Sequence, residues 1–175
     1  MFNREEMVAE IAKEVVARLQ AHMNGGNAGA AAAPGANEDG IFETVDDAVK
    51  AATESQKKVA ALSLEDRGRM ISLIRGLCES RKQEFARMEL DETGLGRLDH
   101  KIQKLEIVKN VLGVEAMRSD ARSDKYGLCL IERAPWGVIG MVLPATHPIP
   151  TMASNAINVI AAGNTPVFSP HPVGA

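Results

Sequence analysis

Two short stretches near the end of the chain carry the residues best suited to hold a ligand, Pro144-Ala145-Thr146-His147 and Ser169-Pro170-His171-Pro172. Each sets a hydroxyl and an imidazole among prolines. Both groups exchange hydrogen bonds with a polar ligand. That chemistry suits a small molecule or a nucleotide. Other reactive side chains read differently. Cys78 falls on the apolar stripe of a helical pattern and is expected as a small buried hydrophobe rather than a reactive thiol. Cys129 lies in a strand-like run, where packing or pairing is expected rather than catalysis. Asp91 and Glu92 stand beside glycines but lack the spacing of a calcium loop, so no metal is expected.

The elements around the two stretches read as strand, helix, strand. Residues 137–143 are a short apolar, β-branched run, expected as a strand buried on both faces. Pro148 and Pro150 suit the first turn of a helix, where a missing N–H is no loss. Ile149, Met152, Ala153, Ala156, Ile157, Ile160 and Ala161 then recur at helical spacing. The uncharged polar stripe of Thr151, Ser154, Asn155 and Asn158 is expected to meet protein rather than water. Gly163-Asn164 stops the helix, and Thr165–Ser169 is a second strand. A strand, a helix of this length and a strand make a right-handed parallel βαβ unit. Ligands in such sheets bind beyond the carboxyl ends of the strands, which is where both stretches fall. The helix N-terminus near Pro150 faces that edge and is expected to offer unpaired N–H groups to an anion. The plainer alternative is a buried βαβ unit whose edge loops only turn corners.

From 134 to 175 there is no Asp, Glu, Lys or Arg. A stretch this long without charge is not a solvated surface. Its prolines and Gly163 cut it into pieces too short to cross a bilayer. It belongs at the centre of an α/β core.

The runs PWGVIGMVLPATHPIP and AAGNTPVFSPHP resemble the start of the nucleotide-binding domain of the aldehyde dehydrogenase superfamily. More narrowly they are similar to its CoA-acylating branch from bacterial microcompartments, whose loops read Pro-Ser-Thr-Asn-Pro and Ser-Pro-His-Pro. The likeness runs from about Val45 onward, and two separated motifs agree in order and spacing. His147 stands where that branch has Asn. The resemblance implies a Rossmann-type NAD(P)-binding domain, incomplete over 41–175. It implies aldehyde oxidation through a cysteine thiolate, hydride transfer to NAD or NADP, and release of the thioester to coenzyme A. By the same resemblance Leu143, Pro144, Ala145 and Thr146 line the nicotinamide-side approach. Thr146 takes the place of the oxyanion-binding Asn of other members and is an oxyanion neighbour. Ser169, Pro170 and His171 lie near the adenosine half, with Ser169 in place of a ribose-binding Lys. Neither cysteine here has a context like that of the family's nucleophile.

Composition bounds the rest. The chain has 175 residues, 45% hydrophobic and 25% charged, with a net charge of -3 and 3% aromatics. That balance argues against nucleic acid held by charge or by stacking. Two cysteines fit a reducing compartment, and no secretory signal is visible.

Residues 1–21 read as an amphipathic helix with Val8, Ile11, Val15 and Leu19 on one stripe. Residues 22–40 are a Gly/Ala-rich flexible linker. A lone helix of this kind is marginal in water and requires a partner surface. The layout resembles the encapsulation peptides that direct enzymes into bacterial microcompartments by docking on shell protein. That places the protein in the cytoplasm, inside such a compartment. The alternative is a helix folded back on its own domain or a sister subunit. The mixed polar face argues against a membrane.

Beyond 40, Thr44 caps a helix over 45–60. Ser63 with Asp66 is a capping-box variant opening one long helix over 64–90. Its buried stripe is read as Leu64, Met70, Ile71, Ile74, Leu77, Cys78, Phe85 and Met88. A third helix is expected over 98–117, with Lys101, Lys104, Glu106 and Lys109 as its solvated face and His100 on the surface. Residues 126–133 are strand-like, and the family resemblance makes them part of a hairpin that helps build a homo-oligomer.

A chain ending just after a buried strand would expose sheet edge and apolar faces, so the expectation is an incomplete version of a longer protein, inactive alone. Two readings follow. One is the N-terminal piece of a CoA-acylating aldehyde dehydrogenase acting on a small aldehyde. The other is a non-catalytic docking or assembly module for a shell or an oligomer.

Overall fold

A computed structural model describes residues 40–173. The helix expected over 1–21 and nearly all of the linker over 22–40 lie outside the described residues. The chain divides into two compact units, Met1–Ala48 and Val49–Ala175.

α1 (Val45–Ala61) begins in the first unit, where Thr44 closes its start, and runs on into the second. Thr44 Oγ1 accepts from Asp47 N at 3.2 Å and donates to Asp47 Oδ2 at 2.8 Å.

In the second unit Ser63 forms the expected capping box at the start of α2 (Leu64–Ser80). Ser63 Oγ accepts from Asp66 N at 3.1 Å while Ser63 N donates to Asp66 Oδ2 at 3.4 Å. The single long helix expected to residue 90 is instead two. The backbone leaves helical geometry at Arg81 (φ -108, ψ 15), and α3 (Lys82–Thr93) follows. The break re-aims the second half. Ala86 and Glu89 face inward, and Met88, expected on the buried stripe, is 55% exposed. Leu64, in the first turn of α2, is exposed as well. Gly94 ends α3 in the left-handed conformation (φ 65), its N–H returning to Leu90 O.

The third helix is shorter than expected. α4 (Leu98–Ile107) gives way to 3-10 turns at Val108–Asn110 and Val114–Ala116. Between them the chain passes close to α2 at Gly113, where a Cβ would lie 3.1 Å from Ile71 Cδ1. The backbone groups freed by the break find partners. Arg75 Nη2 donates to Val111 O at 2.6 Å, and Glu115 Oε2 accepts from Gly113 N at 2.7 Å. Leu112 turns outward, whereas Leu105 and Val108 stay buried.

The core is built from Ile71, Cys78, Ala86, Leu105, Val108, Ala153, Ile157 and Ala161. The last three come from α5 (Pro148–Ala161); of its expected apolar stripe Met152 is exposed, whereas Val159, outside that stripe, is buried. Its polar stripe is mixed: Thr151, Ser154 and Asn155 are half-buried, but Asn158 is exposed.

Two sheets of two strands each are present among the described residues. β1 (Asp120–Asp124) pairs antiparallel with β2 (Gly127–Ile131), and every residue of this hairpin is exposed. β3 (Val138–Val142) pairs parallel with β4 (Thr165–Ser169), as the βαβ pattern requires. β3 is not buried on both faces. Gly140 and Val142, two residues apart and so on one face of the strand, are exposed, Val142 at 79%. The mixed α/β architecture is otherwise the expected one.

Candidate functional site

The register of the parallel pair decides what the site contains. Val142 is paired with Ser169, so both strands end at the same level. Leu143 N then donates to Ser169 O at 2.9 Å, tying the first loop to the end of the second strand. Residues 143–147 and 169–172 thus leave one edge of the sheet together. Leu143 is buried and closes the floor. Pro144 and Ala145 are half-buried, and Thr146 is exposed. Ser169, Pro170 and His171 are exposed, and His171 Nδ1 accepts from Val173 N at 3.1 Å. Thr146 Oγ1 and His147 Nδ1 are 2.7 Å apart and share a hydrogen bond.

Below this loop lies a feature that the sequence pattern had assigned to solvent. Lys101 is 1% exposed and pairs with Glu89, also 1% exposed, at 3.1 Å. Lys101 Nζ also donates to Thr146 O at 3.3 Å, and Glu89 Oε1 accepts from Ile149 N at 3.1 Å. Reading Lys101 as part of a solvated face is therefore wrong, whereas Lys104 and Lys109 are exposed and Glu106 is half-buried. A signal was there. Lys101, Leu105 and Val108 are spaced i, i+4, i+7, so the lysine continues the buried stripe of α4. Ala86 and Glu89 are likewise one stripe of α3.

The N-terminus of α5 is not the open anion site its position suggests. Pro148 and Pro150 have no N–H. Ile149 N is taken by Glu89, and Thr151 N donates to His147 O at 3.3 Å. The first turn keeps no free donor, and a buried carboxylate already complements the helix dipole there. His147, the residue before the helix, is half-buried. Burial, and then the positive charge of Lys104, hold its imidazole below the ordinary value of 6.5, with Glu89 opposing.

At the opposite end, α5 is closed by Gly163 in the left-handed region (φ 78) and by Arg67, whose Nη1 donates to Ala161 O at 2.7 Å. Neither cysteine joins the two loops in any hydrogen bond. Cys78 is buried in the core, where burial pushes its thiol above the ordinary value, and Cys129 is exposed on β2. Among the described residues no cluster of His, Cys, Asp and Glu could hold a metal, and no helix is long and apolar enough to cross a membrane.

The chain is thus a mixed α/β fold whose parallel βαβ unit brings two loops to one sheet edge. Residues 8–175 match the Aldehyde dehydrogenase family, and the chain belongs to that family. Within it the relatives are CoA-acylating acetaldehyde and propanal dehydrogenases. The chain is 41% identical over 134 residues to an acetaldehyde dehydrogenase (acetylating) of Bilophila wadsworthia, covering 76% of this chain and 27% of that protein. It is 40% identical, with a TM-score of 0.74, to a propionaldehyde dehydrogenase from the fucose utilisation bacterial microcompartment of Clostridium phytofermentans, covering 77% of this chain and 31% of that one. The Rhodopseudomonas palustris propionaldehyde dehydrogenase with bound CoA and an acylated cysteine gives 40% identity and a TM-score of 0.75 over 79% of this chain and 32% of that one. An engineered glycolyl-CoA reductase with bound NADP+ matches at 40% identity and a TM-score of 0.74, over 79% and 32% of the two chains. The chain therefore spans about a third of the length of the relatives it matches.

Proposed function

We propose that this chain supplies the cofactor-side loops of an NAD(P)-dependent, CoA-acylating aldehyde dehydrogenase, within a Rossmann-type nucleotide-binding domain. The observation that carries the reading is the Val142–Ser169 register, which brings the loops at 143–147 and 169–172 to one sheet edge. Leu143, Pro144, Ala145 and Thr146 would line the approach of the nicotinamide half, and Ser169, Pro170 and His171 that of the adenosine half. The residues suit the uncharged parts of such a cofactor. The hydroxyls of Thr146 and Ser169 can bond ribose, and the half-buried Pro144 gives a ring an apolar wall. The first turn of α5 is closed to the pyrophosphate, because its only donors are already engaged.

In the full reaction an aldehyde becomes an acyl-CoA, with a cysteine thioester between, and bound NAD(P)+ would take up the hydride. Cys78 is a poor candidate for that cysteine, because burial disfavours its thiolate. The exposed hairpin strand that bears Cys129 shares no hydrogen bond with either loop. On this reading neither cysteine of the chain supplies the thiol. The small aldehyde, coenzyme A and a homo-oligomer are implied on the same footing. Residues 1–21 would dock on a microcompartment shell protein and fix the location of the enzyme.

The test is turnover together with nucleotide binding by the 175-residue chain. Binding of NAD+ or NADP+ without aldehyde- and CoA-dependent NAD(P)H formation is expected. Turnover would place the nucleophile inside this chain, against the proposal. Absence of any nucleotide binding would favour a second reading, a docking or assembly module. What favours that reading is the β1–β2 hairpin, which leaves Tyr126, Leu128 and Leu130 exposed at 85%, 74% and 60%.

A further inference from the structure

We propose that Glu89 and Lys101 are positioning residues for the first loop, a buried ion pair that sets the backbone from Thr146 to Ile149 and hence the side of the loop offered to a ligand. The identity of that ligand rests on the function proposed above, whereas the effect on the backbone does not.

The contacts divide the work. Glu89 spends one carboxylate oxygen on Lys101 and the other on Ile149 N, at 3.1 Å each. Lys101 in turn holds Thr146 O at 3.3 Å. The pair thus joins α3 and α4 to both ends of the turn that leads into α5. Thr146 O is drawn inward, towards the ammonium, while its hydroxyl lies at the exposed side in a hydrogen bond with His147. Prolines on either side make Ile149 the sole donor among the first three positions of α5. A single N–H is a weak anchor unless its acceptor is charged and fixed. Glu89 supplies that acceptor, and Lys101 holds it in place.

Stability alone does not require an ion pair at this place. Both ions lose water on burial, and a well-packed apolar pair of similar volume is often as stable or more so. What an apolar pair lacks is any means of holding Thr146 O and Ile149 N. That difference separates a positioning role from a merely structural one.

The experiment uses the 175-residue chain and the variants Glu89→Gln, Lys101→Met and the double variant Glu89→Leu/Lys101→Met. Three quantities are read: the unfolding midpoint, the amide exchange rate of Ile149, and the dissociation constant for NAD+. The double variant is expected to recover the midpoint lost by Lys101→Met. Its Ile149 amide should still exchange faster by about ten- to a hundredfold, the factor that a hydrogen bond to a charged group carries. NAD+ should bind it about tenfold more weakly or worse, on the same grounds. Wild-type exchange and wild-type affinity in the double variant would reduce the pair to a packing element. If the wild-type chain binds no NAD+, the proposed function fails, and the exchange rates still decide this proposal. If no variant folds, the wild-type chain remains decisive: an Ile149 amide that exchanges as fast as those of the exposed hairpin overturns it.

Discussion

Asn164 Oδ1 lies 2.8 Å from Gly137 N and accepts its hydrogen bond. The same oxygen accepts from Trp136 N at 2.5 Å, and Thr165 N donates to Gly137 O at 3.0 Å. Asn164 is 4% exposed, so these bonds meet little competition from water. Together they fix where β3 begins against β4. Because the strands are parallel and in register, fixing one end sets how the two loops emerge at the other.

Asn164→Ala is therefore expected to cost about 1–3 kcal/mol, the cost of leaving a partly buried donor unsatisfied. Urea denaturation checks the loss. Asn164→Asp keeps the accepting oxygen and should lose less. An alanine variant as stable as wild type would mean that the strand register is set elsewhere.

Glu115 gives a pH dependence. The Arg75 guanidinium above all, and then backbone N–H groups including that of Gly113, pull its carboxyl from 4.5 to about 2. The folded value lies below the unfolded one. The contribution to stability is thus fully present above about 4.5 and is lost as pH falls towards 2. Glu115 is exposed, so solvent screening keeps the contribution modest. Glu115→Gln should be less stable than wild type at neutral pH, and the two should converge through that window. Unfolding midpoints across acid pH measure it, and a constant difference would contradict the Arg75–Glu115 pairing.

The two cysteines should separate cleanly under native alkylation. Cys129 is exposed and should take up iodoacetamide readily. Cys78 is 4% exposed with a raised thiol and should react only on unfolding. Peptide mass spectrometry distinguishes them, and rapid labelling of Cys78 in the folded protein would show that the core opens around α2.

Deleting residues 1–21 should leave the unfolding midpoint of the remainder unchanged and abolish co-sedimentation with shell protein. A marked loss of stability on deletion would instead support a helix folded back on its own domain.

Much of this was legible in the sequence, and the parts that were not have physical reasons. The βαβ unit declared itself because a charge-free strand, a proline-started helix and a Gly-Asn stop are local signals. The Ser63 capping box is local too. The break at Arg81 was hidden because Cys78 and Phe85 both fit one continuous stripe. β1 was hidden because Asp-Ala-Arg-Ser-Asp carries no apolar alternation and becomes a strand only through pairing with β2. Lys101 was misplaced because a charge was taken for solvent exposure, although its spacing to Leu105 and Val108 put it on the buried side. Its partner, Glu89, lies on another helix, and only the tertiary fold brings the two together.

The most direct test of the account is an NMR titration of the 175-residue chain with NAD+ and NADP+, following backbone resonances. The account predicts shifts confined mainly to Leu143, Ala145 and Thr146 and to Ser169 and His171, moving together along one binding curve. Saturable shifts elsewhere, or none at these two loops, would contradict it.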